Sequence, residues 1–280
     1  RLNAAGRMDH AARAVELLTT KDMDIATKTA HTLNLLNQKR RQIEQGILAD
    51  IERFMEINAS LLQQSSLVLS GQGWHAGVLG IVASQMVNAY YRPVVLITTR
   101  DGIGRGSARS VAGLNLYDAL ANCRSYLESF GGHSMAAGLK IREENIADFQ
   151  DAFESVIGRI SQPEDLAPAL QIDAELNFDT ISAALIDELE ALMPFGTGNP
   201  EPLFMTTEVK VVSSKIVGKN HRRMTLGQSS RPNTPVFQAI QFNVDSRVSN
   251  KQNFSQLVFK LRWNRWKDRK TAQLVVEDLQ

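Results

Sequence analysis

The chain has 280 residues, 43% hydrophobic and 22% charged, which suits about two soluble globular domains and excludes a disordered or collagen-like chain. Its single cysteine, Cys123, excludes an intrachain disulfide and a multi-cysteine zinc site. The net charge of +1 conceals a division: residues 161–208 carry 10 acids and no Lys or Arg, whereas residues 209–280 carry 14 Lys and Arg against 4 acids.

A basic block of that size attracts polyanions, nucleic acid foremost. The plain alternative is a solvated surface balanced by the acidic stretch folded beside it. There is no run of about 18 apolar residues that could span a membrane. The chain starts Arg1-Leu2-Asn3, with neither an initiator Met nor a recognisable signal peptide, so it reads as processed or as a piece of something longer, in the cytoplasm.

In chain order, residues 9–20 read as a short helix with Asp9 as its cap. Asp22 can cap the next segment, where apolar residues recur near helical spacing from Ile25 through Leu33, Ile43, Ile47 and Ile51 to Phe54. A helix over 22–57 would be roughly 54 Å long, the length of a strut joining two bodies; the stripe is not a sustained coiled-coil heptad. Residues 66–160 alternate strands and helices: SLVLSG, PVVLIT, GIGRGSARSV and MAAGLKI as strands, with AGVLGIVASQMVNAYY, NLYDALANCRSYLESF and EENIADFQDAFESVIGRI as helices. That is an α/β layout with a mixed sheet. After the polar linker 161–168 come a strand QIDAELNF, a helix TISAALIDELEAL and a turn-rich loop, MPFGTGNPEPLF. Five short alternating runs from Val209 onward point to a small barrel or sandwich, with an OB-like barrel a natural candidate.

Three stretches could carry chemistry. Gly73, Trp74 and His75 stand just before a helix N-terminus, where free N–H groups favour an anion, although a tight strand–helix turn explains them too. Arg105, Ser107 and Arg109 share one face of a strand, and two guanidiniums beside a hydroxyl suit a phosphodiester; Gly104 and Gly106 would clear space for it. The plain alternatives are surface arginines or a structural Arg109 paired with Asp118. Gly131 and Gly132 precede His133, a residue that can donate or stack. The five histidines show no metal-binding spacing, and there is no phosphate-binding P-loop. In the distal barrel, Lys219, His221, Arg222, Arg223, Trp263 and Trp266 are the candidates for a basic, aromatic single-strand track, with Trp263 and Trp266 at a hairpin. Core packing is the alternative for most of the phenylalanines.

Taken together, RLNAAGRM, GWHAGVLGIVAS, RPVVLI, GRGSARS followed by GLNLYDAL, FGGHSMAAGL and PFGTGNPEPLF resemble, in that order, the bacterial RecJ family. These are single-stranded-DNA-specific 5′→3′ exonucleases of the DHH phosphoesterase superfamily. The resemblance implies the tail of a DHH domain in 1–20, a connecting helix in 21–60, a DHHA1 α/β domain in 61–162 and an OB-type DNA-binding domain in 163–280. It places Arg1, Asn3 and Arg7 at the border of a catalytic cleft. Ser107 and Arg109 would face that cleft, and Gly131, Gly132 and His133 match a substrate-binding glycine–histidine motif. No DHH triplet occurs, so the resemblance implies a C-terminal fragment without catalytic or metal-ligating residues of its own. Mn²⁺ or Mg²⁺ would be the cofactor of the intact enzyme. It implies single-stranded DNA as the partner, with a single-strand-binding protein or a helicase as candidate protein partners. A small-substrate phosphoesterase of the oligoribonuclease type and the DHHA1 tail of an alanyl-tRNA synthetase are the alternatives, against which the PFGTGNPEPLF loop and the basic barrel after it argue; a non-catalytic single-strand binder describes the fragment in isolation.

Overall fold

The computed structural model describes residues 1–218, 220–229, 234–244, 251–267 and 269–280, and it divides into two compact units, Arg1–Pro168 and Ala169–Gln280. Among the described residues no helix is long and apolar enough to cross a membrane.

The first unit opens with α1 (Leu2–Met8) and α2 (Ala12–Thr19). The single helix expected over 9–20 is therefore shifted. Asp9 closes α1 rather than capping α2, and its carboxylate is engaged by Arg13 at 2.7 Å. The long helix α3 (Met23–Ile57) has 35 residues. It starts where the Asp22 carboxylate accepts the N–H groups of Asp24 and Ile25, at 2.8 and 3.1 Å. Such a cap is worth about 1 kcal/mol. Ile47, Ile51 and Met55, spaced four apart, bury one stripe in the core of the first unit. Glu44 fixes the middle of the helix by accepting from Arg40 and from Gln85 of the neighbouring helix α4 (Ala76–Tyr90).

Strands β1 (Leu67–Gln72), β2 (Val94–Arg100), β3 (Ile103–Arg109), β4 (Leu127–Gly132) and β5 (Ala136–Arg142) form a mixed sheet in the order β1-β2-β3-β5-β4. Only β1 and β2 are parallel, because α4 carries the chain back between them. The helices α5 (Leu116–Asn122) and α6 (Ile146–Ile160) complete the unit. The stretch NLYDALANCRSYLESF is only half helical: α5 stops at Asn122, and Leu127–Phe130 belong to β4. Buried Cys123 ends the helix, and pairing of Leu127, Ser129 and Phe130 with β5 outweighs a helical propensity of a few tenths of a kcal/mol per residue. Glu154 of α6 ties the chain entering β1: its carboxylate accepts from the N–H groups of Ser65 and Ser66 at 2.7 and 2.8 Å, and from the Ser66 hydroxyl.

The second unit contains β6 (Ala174–Glu175), α7 (Ala183–Ala191), β7 (Phe204–Val217), β8 (His221–Gln228), β9 (Phe237–Gln241), β10 (Asn253–Trp266) and β11 (Arg269–Leu279). The strand expected in QIDAELNF is only the two-residue β6. Strands β7, β8, β9, β11 and β10 pair in that order, and β10 returns to β7, closing a five-stranded barrel. The parallel β9–β11 pair and the antiparallel remainder are the connectivity of an OB fold. Phe178, Phe237, Phe259 and Phe204 meet inside it, with ring centroids 5.2 to 6.4 Å apart. Gln228 holds the segment before α7 against this core: it accepts from the Phe178 N–H at 2.9 Å and donates to Thr206 at 2.9 Å.

Candidate nucleic-acid interface

Strand periodicity places alternate residues of the first sheet on opposite faces, and the register aligns them in rows across it. One row is Gly71, Thr98, Arg105 and Lys140; the next is Leu69, Leu96, Ser107, Gly138 and Gly131; the third is Leu67, Val94, Arg109 and Ala136. Helix α4 covers this face at the Arg109 end, leaving Arg105, Gly138 and Gly131 exposed. A Cβ added at Gly131 would touch nothing within 4 Å, and at Gly138 it would meet only the Gly106 carbonyl at 3.8 Å. Ser107, Gly138 and Gly131 thus pave a lane of backbone without bulky side chains. His133 is exposed at the β4–β5 turn beside it, its backbone N–H donating to Ala136 at 2.8 Å.

At the closed end of the lane Arg109 runs beneath α4, with a guanidinium nitrogen 2.6 Å from where a Cβ on Gly80 would stand. It is half-buried, and among the described residues its Nη1 donates to the Ala108 carbonyl alone, at 2.8 Å. Burial, and then the neighbouring Arg7 guanidinium, lower the Arg109 pKa from the usual arginine value. Arg7 reaches the same place from α1, donating to the Gly77 carbonyl at 3.4 Å. A side chain at Gly77 would strike the Arg7 backbone, so α1 abuts the first turn of α4. Among the described residues neither arginine has a carboxylate partner, and the pairing of Arg109 with Asp118 is not formed: Asp118 accepts from Asn115 at 2.7 Å instead. Two adjacent guanidiniums without a counter-charge repel each other, and an anion between them would relieve both the repulsion and the desolvation.

Several expectations are corrected. Gly104 and Gly106 do not clear space for a phosphate; their missing side chains point to the opposite face, where a Cβ would sit 2.8 Å from Ile97 and Ile141, or from Leu139. The first turn of α4 is not wholly free, because Nδ1 of His75 accepts the Gly77 N–H at 3.1 Å. Trp74 is half-buried across Gly71, its indole N–H directed at Asp50 of α3 at 3.4 Å. Arg1 is exposed at the N-cap position of α1 with no side-chain cap hydrogen bond, and Asn3 is exposed one turn before Arg7. The sequence reading passed over Lys140, Ser129 and Gly138, which only the β3–β5–β4 register brings beside Arg105 and Gly131.

On the barrel, Lys219 lies outside the described residues. Arg222 faces inward, 5% exposed; its Nε donates to Ser214 at 2.8 Å and its guanidinium lies 6.0 Å from the Phe254 ring. Burial lowers its pKa, and it cannot meet a strand from inside the barrel. Trp263 is likewise occupied: its N–H donates to Asp187 at 2.8 Å, and the Lys270 ammonium stands 4.3 Å above its ring. Lys270 also pairs with Asp187 at 2.7 Å, Arg265 forks onto Glu190 with both bonds at 2.6 Å, and Arg262 forks onto Glu201. The acidic stretch therefore neutralises these β10 and β11 cations, and the pairs hold the Asp187 and Glu190 carboxyls below the usual carboxylate range. Trp266, 70% exposed at the hairpin tip, stays open.

The free charge is elsewhere. Lys215 of β7 lies directly opposite Arg223 of β8, both exposed, and among the described residues neither has an acidic partner. Beside them Ser213, Thr225 and Gln238 are linked by hydrogen bonds of 2.9 Å across β7, β8 and β9. His221 sits 5.2 Å from exposed Phe242, and its Nδ1 accepts the Asn243 N–H at 3.2 Å. This outward β7–β9 face combines cations, hydroxyls and an aromatic edge, and the corresponding strands of OB folds are the ones that take oligonucleotides.

Family models for the DHHA1 domain and the RecJ OB domain match residues 63–159 and 172–278. The single-stranded-DNA-specific exonuclease RecJ of Haemophilus influenzae is 34% identical over 286 residues, 99% of this chain and 50% of that protein. RecJ of Bacillus subtilis is 32% identical over 287 residues, 99% of this chain and 35% of its own length. The crystal structure of RecJ from Thermus thermophilus in complex with Mn²⁺ superimposes with a TM-score of 0.82 at 25% identity, over 100% of this chain and 40% of that one. A second, in complex with Mg²⁺, gives 0.79 at 26% identity. The chain spans half or less of the length of these relatives.

Proposed function

With its DHHA1 and RecJ OB domains the chain belongs to the RecJ family, and from that premise we propose that it supplies the strand-holding part of a 5′→3′ single-stranded-DNA exonuclease acting in repair and recombination. The observation that carries this reading is the Arg7–Arg109 pair, two guanidiniums without a counter-charge at the closed end of a glycine-floored lane. One backbone phosphate between them would make charge-assisted hydrogen bonds, with Ser107 beside it and Gly138 and Gly131 leaving room for the sugar. His133 stands at the edge of the lane as a donor or stacking group. The barrel by itself offers Lys215, Arg223, His221 and Phe242 to a strand, with Trp266 as a stacking platform at the hairpin. We assign residues 61–162 to the DHHA1 domain and 163–280 to the OB domain, with 1–20 and the helix of 21–60 leading into the former.

Hydrolysis is a different matter. Among the described residues no three His, Cys, Asp or Glu side chains come together as a metal group would require. The residues present do not fit a two-metal centre, and no step of the hydrolysis is assigned to them. The divalent metal of RecJ belongs, in this proposal, to the part of the protein that this chain does not span. By itself the chain is a single-strand binder of the cytoplasm, and a single-strand-binding protein or a helicase would be its protein partners.

The test is a titration of labelled oligothymidylate and of duplex with the chain and with Arg109→Ala and Arg109→Lys. Each charge-assisted bond is worth about 1.5–3 kcal/mol, so Arg109→Ala should weaken single-strand binding roughly 10- to 100-fold. Arg109→Lys should restore part of that, because a point charge cannot replace the planar fork. A lowered melting temperature with unchanged affinity would make Arg109 structural and end the proposal, as would a preference for duplex.

A further inference from the structure

A second hollow, of about 1080 Å³, opens on the same sheet face, on the far side of Arg105 from the lane. Thr98, Arg105 and Lys140, in one row across the sheet, form its floor, and the β1–α4 turn with Trp74 and His75 forms its wall. The wall is set in place by packing. The Trp74 ring lies where a Cβ on residue 71 would be, so only glycine admits it there, and the long helix holds the indole through Asp50. Because Nδ1 of His75 accepts the Gly77 N–H, the neutral imidazole carries its proton on Nε2, leaving that N–H as a donor. Arg105 is exposed and has no acidic partner among the described residues, whereas Lys140 is held by Glu128 at 2.6 Å. An aromatic wall, an imidazole N–H, a hydroxyl and one uncommitted guanidinium form the donor set for a planar base joined to a phosphate. The hollow is somewhat larger than the roughly 300–1,000 Å³ usual for small-ligand sites, as suits an open site that passes a strand.

We propose that this hollow is a second nucleotide subsite, taking a base against Trp74 and His75 and its phosphate on Arg105 while the Arg7–Arg109 pair holds another phosphate of the same strand. Arg105 and Arg109 are four residues apart on β3, roughly 13 Å at 3.3 Å per residue, which an extended strand spans in about two nucleotides. Arg105 and Lys140 also border the adjoining hollow over Ser129, Gly131 and Gly138, so the path from lane to subsite is continuous. This inference rests on the strand-holding reading given above, and the experiment separates the two.

Isothermal titration with thymidine 5′-monophosphate and with 5′-phosphorylated oligothymidylates of increasing length is run on the chain, on Arg105→Ala and on Arg109→Ala, with melting temperatures recorded. A single charged hydrogen bond lost at Arg105 should weaken the longer oligonucleotides about tenfold. The affinity for the mononucleotide should stay as it is, while Arg109→Ala weakens both. An abasic residue scanned along the strand should cost affinity at one position, set about two nucleotides from the anchored phosphate. If Arg105→Ala binds every length as the parent does while Arg109→Ala is impaired, the second subsite is refuted and the anchor stands. Equal loss for mononucleotide and oligonucleotide in Arg105→Ala would put Arg105 in the anchor and also refute a second subsite. If neither variant loses affinity for any length, the strand-holding reading itself fails.

Discussion

The barrel offers a quantitative prediction, because its sequence looks far more basic than its surface is. Arg262, Arg265 and Lys270 are each bound by a carboxylate of Glu201, Glu190 or Asp187, and the Trp263 N–H is bound by Asp187 as well. Converting the three acids together, as Asp187→Asn, Glu190→Gln and Glu201→Gln, removes three negative charges without changing side-chain size. Surface ion pairs are worth about 0–1 kcal/mol each, and Glu201, the most buried of the three acids, should account for most of a modest loss of melting temperature. Three cations then become free to neutralise phosphates. For single strands log K falls with log salt at roughly −0.7 per phosphate neutralised, so the slope should steepen by about 2. Fluorescence anisotropy with labelled oligothymidylate across a salt series measures it. The triple variant should bind more tightly than the parent at low salt and lose the advantage as salt rises. An unchanged slope would refute the reasoning, because it would mean that the cations already contact the strand or that no strand passes them.

Three further outcomes are expected. Gly104→Ala should destabilise by about 1–3 kcal/mol through overpacking against Ile97 and Ile141, as read from denaturant midpoints, whereas Gly131→Ala should leave stability alone and weaken strand binding. Glu154→Gln, which removes the charge behind three hydrogen bonds, should cost about 2–3 kcal/mol in chemical denaturation, far more than substitution of an exposed glutamate. Burial pushes the Cys123 thiol up to about 11, from an ordinary value of 9.0. The folded state therefore holds its proton more tightly than the unfolded chain does, so this stabilisation is complete below pH 9.0 and disappears as pH rises towards 11. Thiol labelling at neutral pH should track global unfolding; fast labelling of the native protein would contradict this burial.

Much of the fold was legible because its signals are local. Asp22 followed by an apolar stripe marks α3, and the apolar runs that end in glycine at 71 and start after Pro93 mark β1 and β2. The errors fell where tertiary pairing decides. Residues 127–130 are helical by neighbourhood and become β4 only because β5 offers an edge, and the β6 strand keeps two residues because β7 pairs with no more. The alternation that puts Arg105, Ser107 and Arg109 on one face puts Gly104 and Gly106 on the other, against Ile97, Ile141 and Leu139. Arg222 and Arg223 are adjacent in sequence and opposite in role, and only barrel closure tells which one is interior. Charge counting showed an acidic stretch and a basic one, but not that Asp187, Glu190 and Glu201 would meet Lys270, Arg265 and Arg262.

The most direct test of the strand-holding claim is a crystal structure of the chain with a short 5′-phosphorylated oligothymidylate. The account predicts one phosphate within hydrogen-bonding distance of both the Arg7 and the Arg109 guanidiniums, with its sugar over Gly138 and Gly131. A strand ordered on the protein while those two guanidiniums make no contact with it would contradict the account.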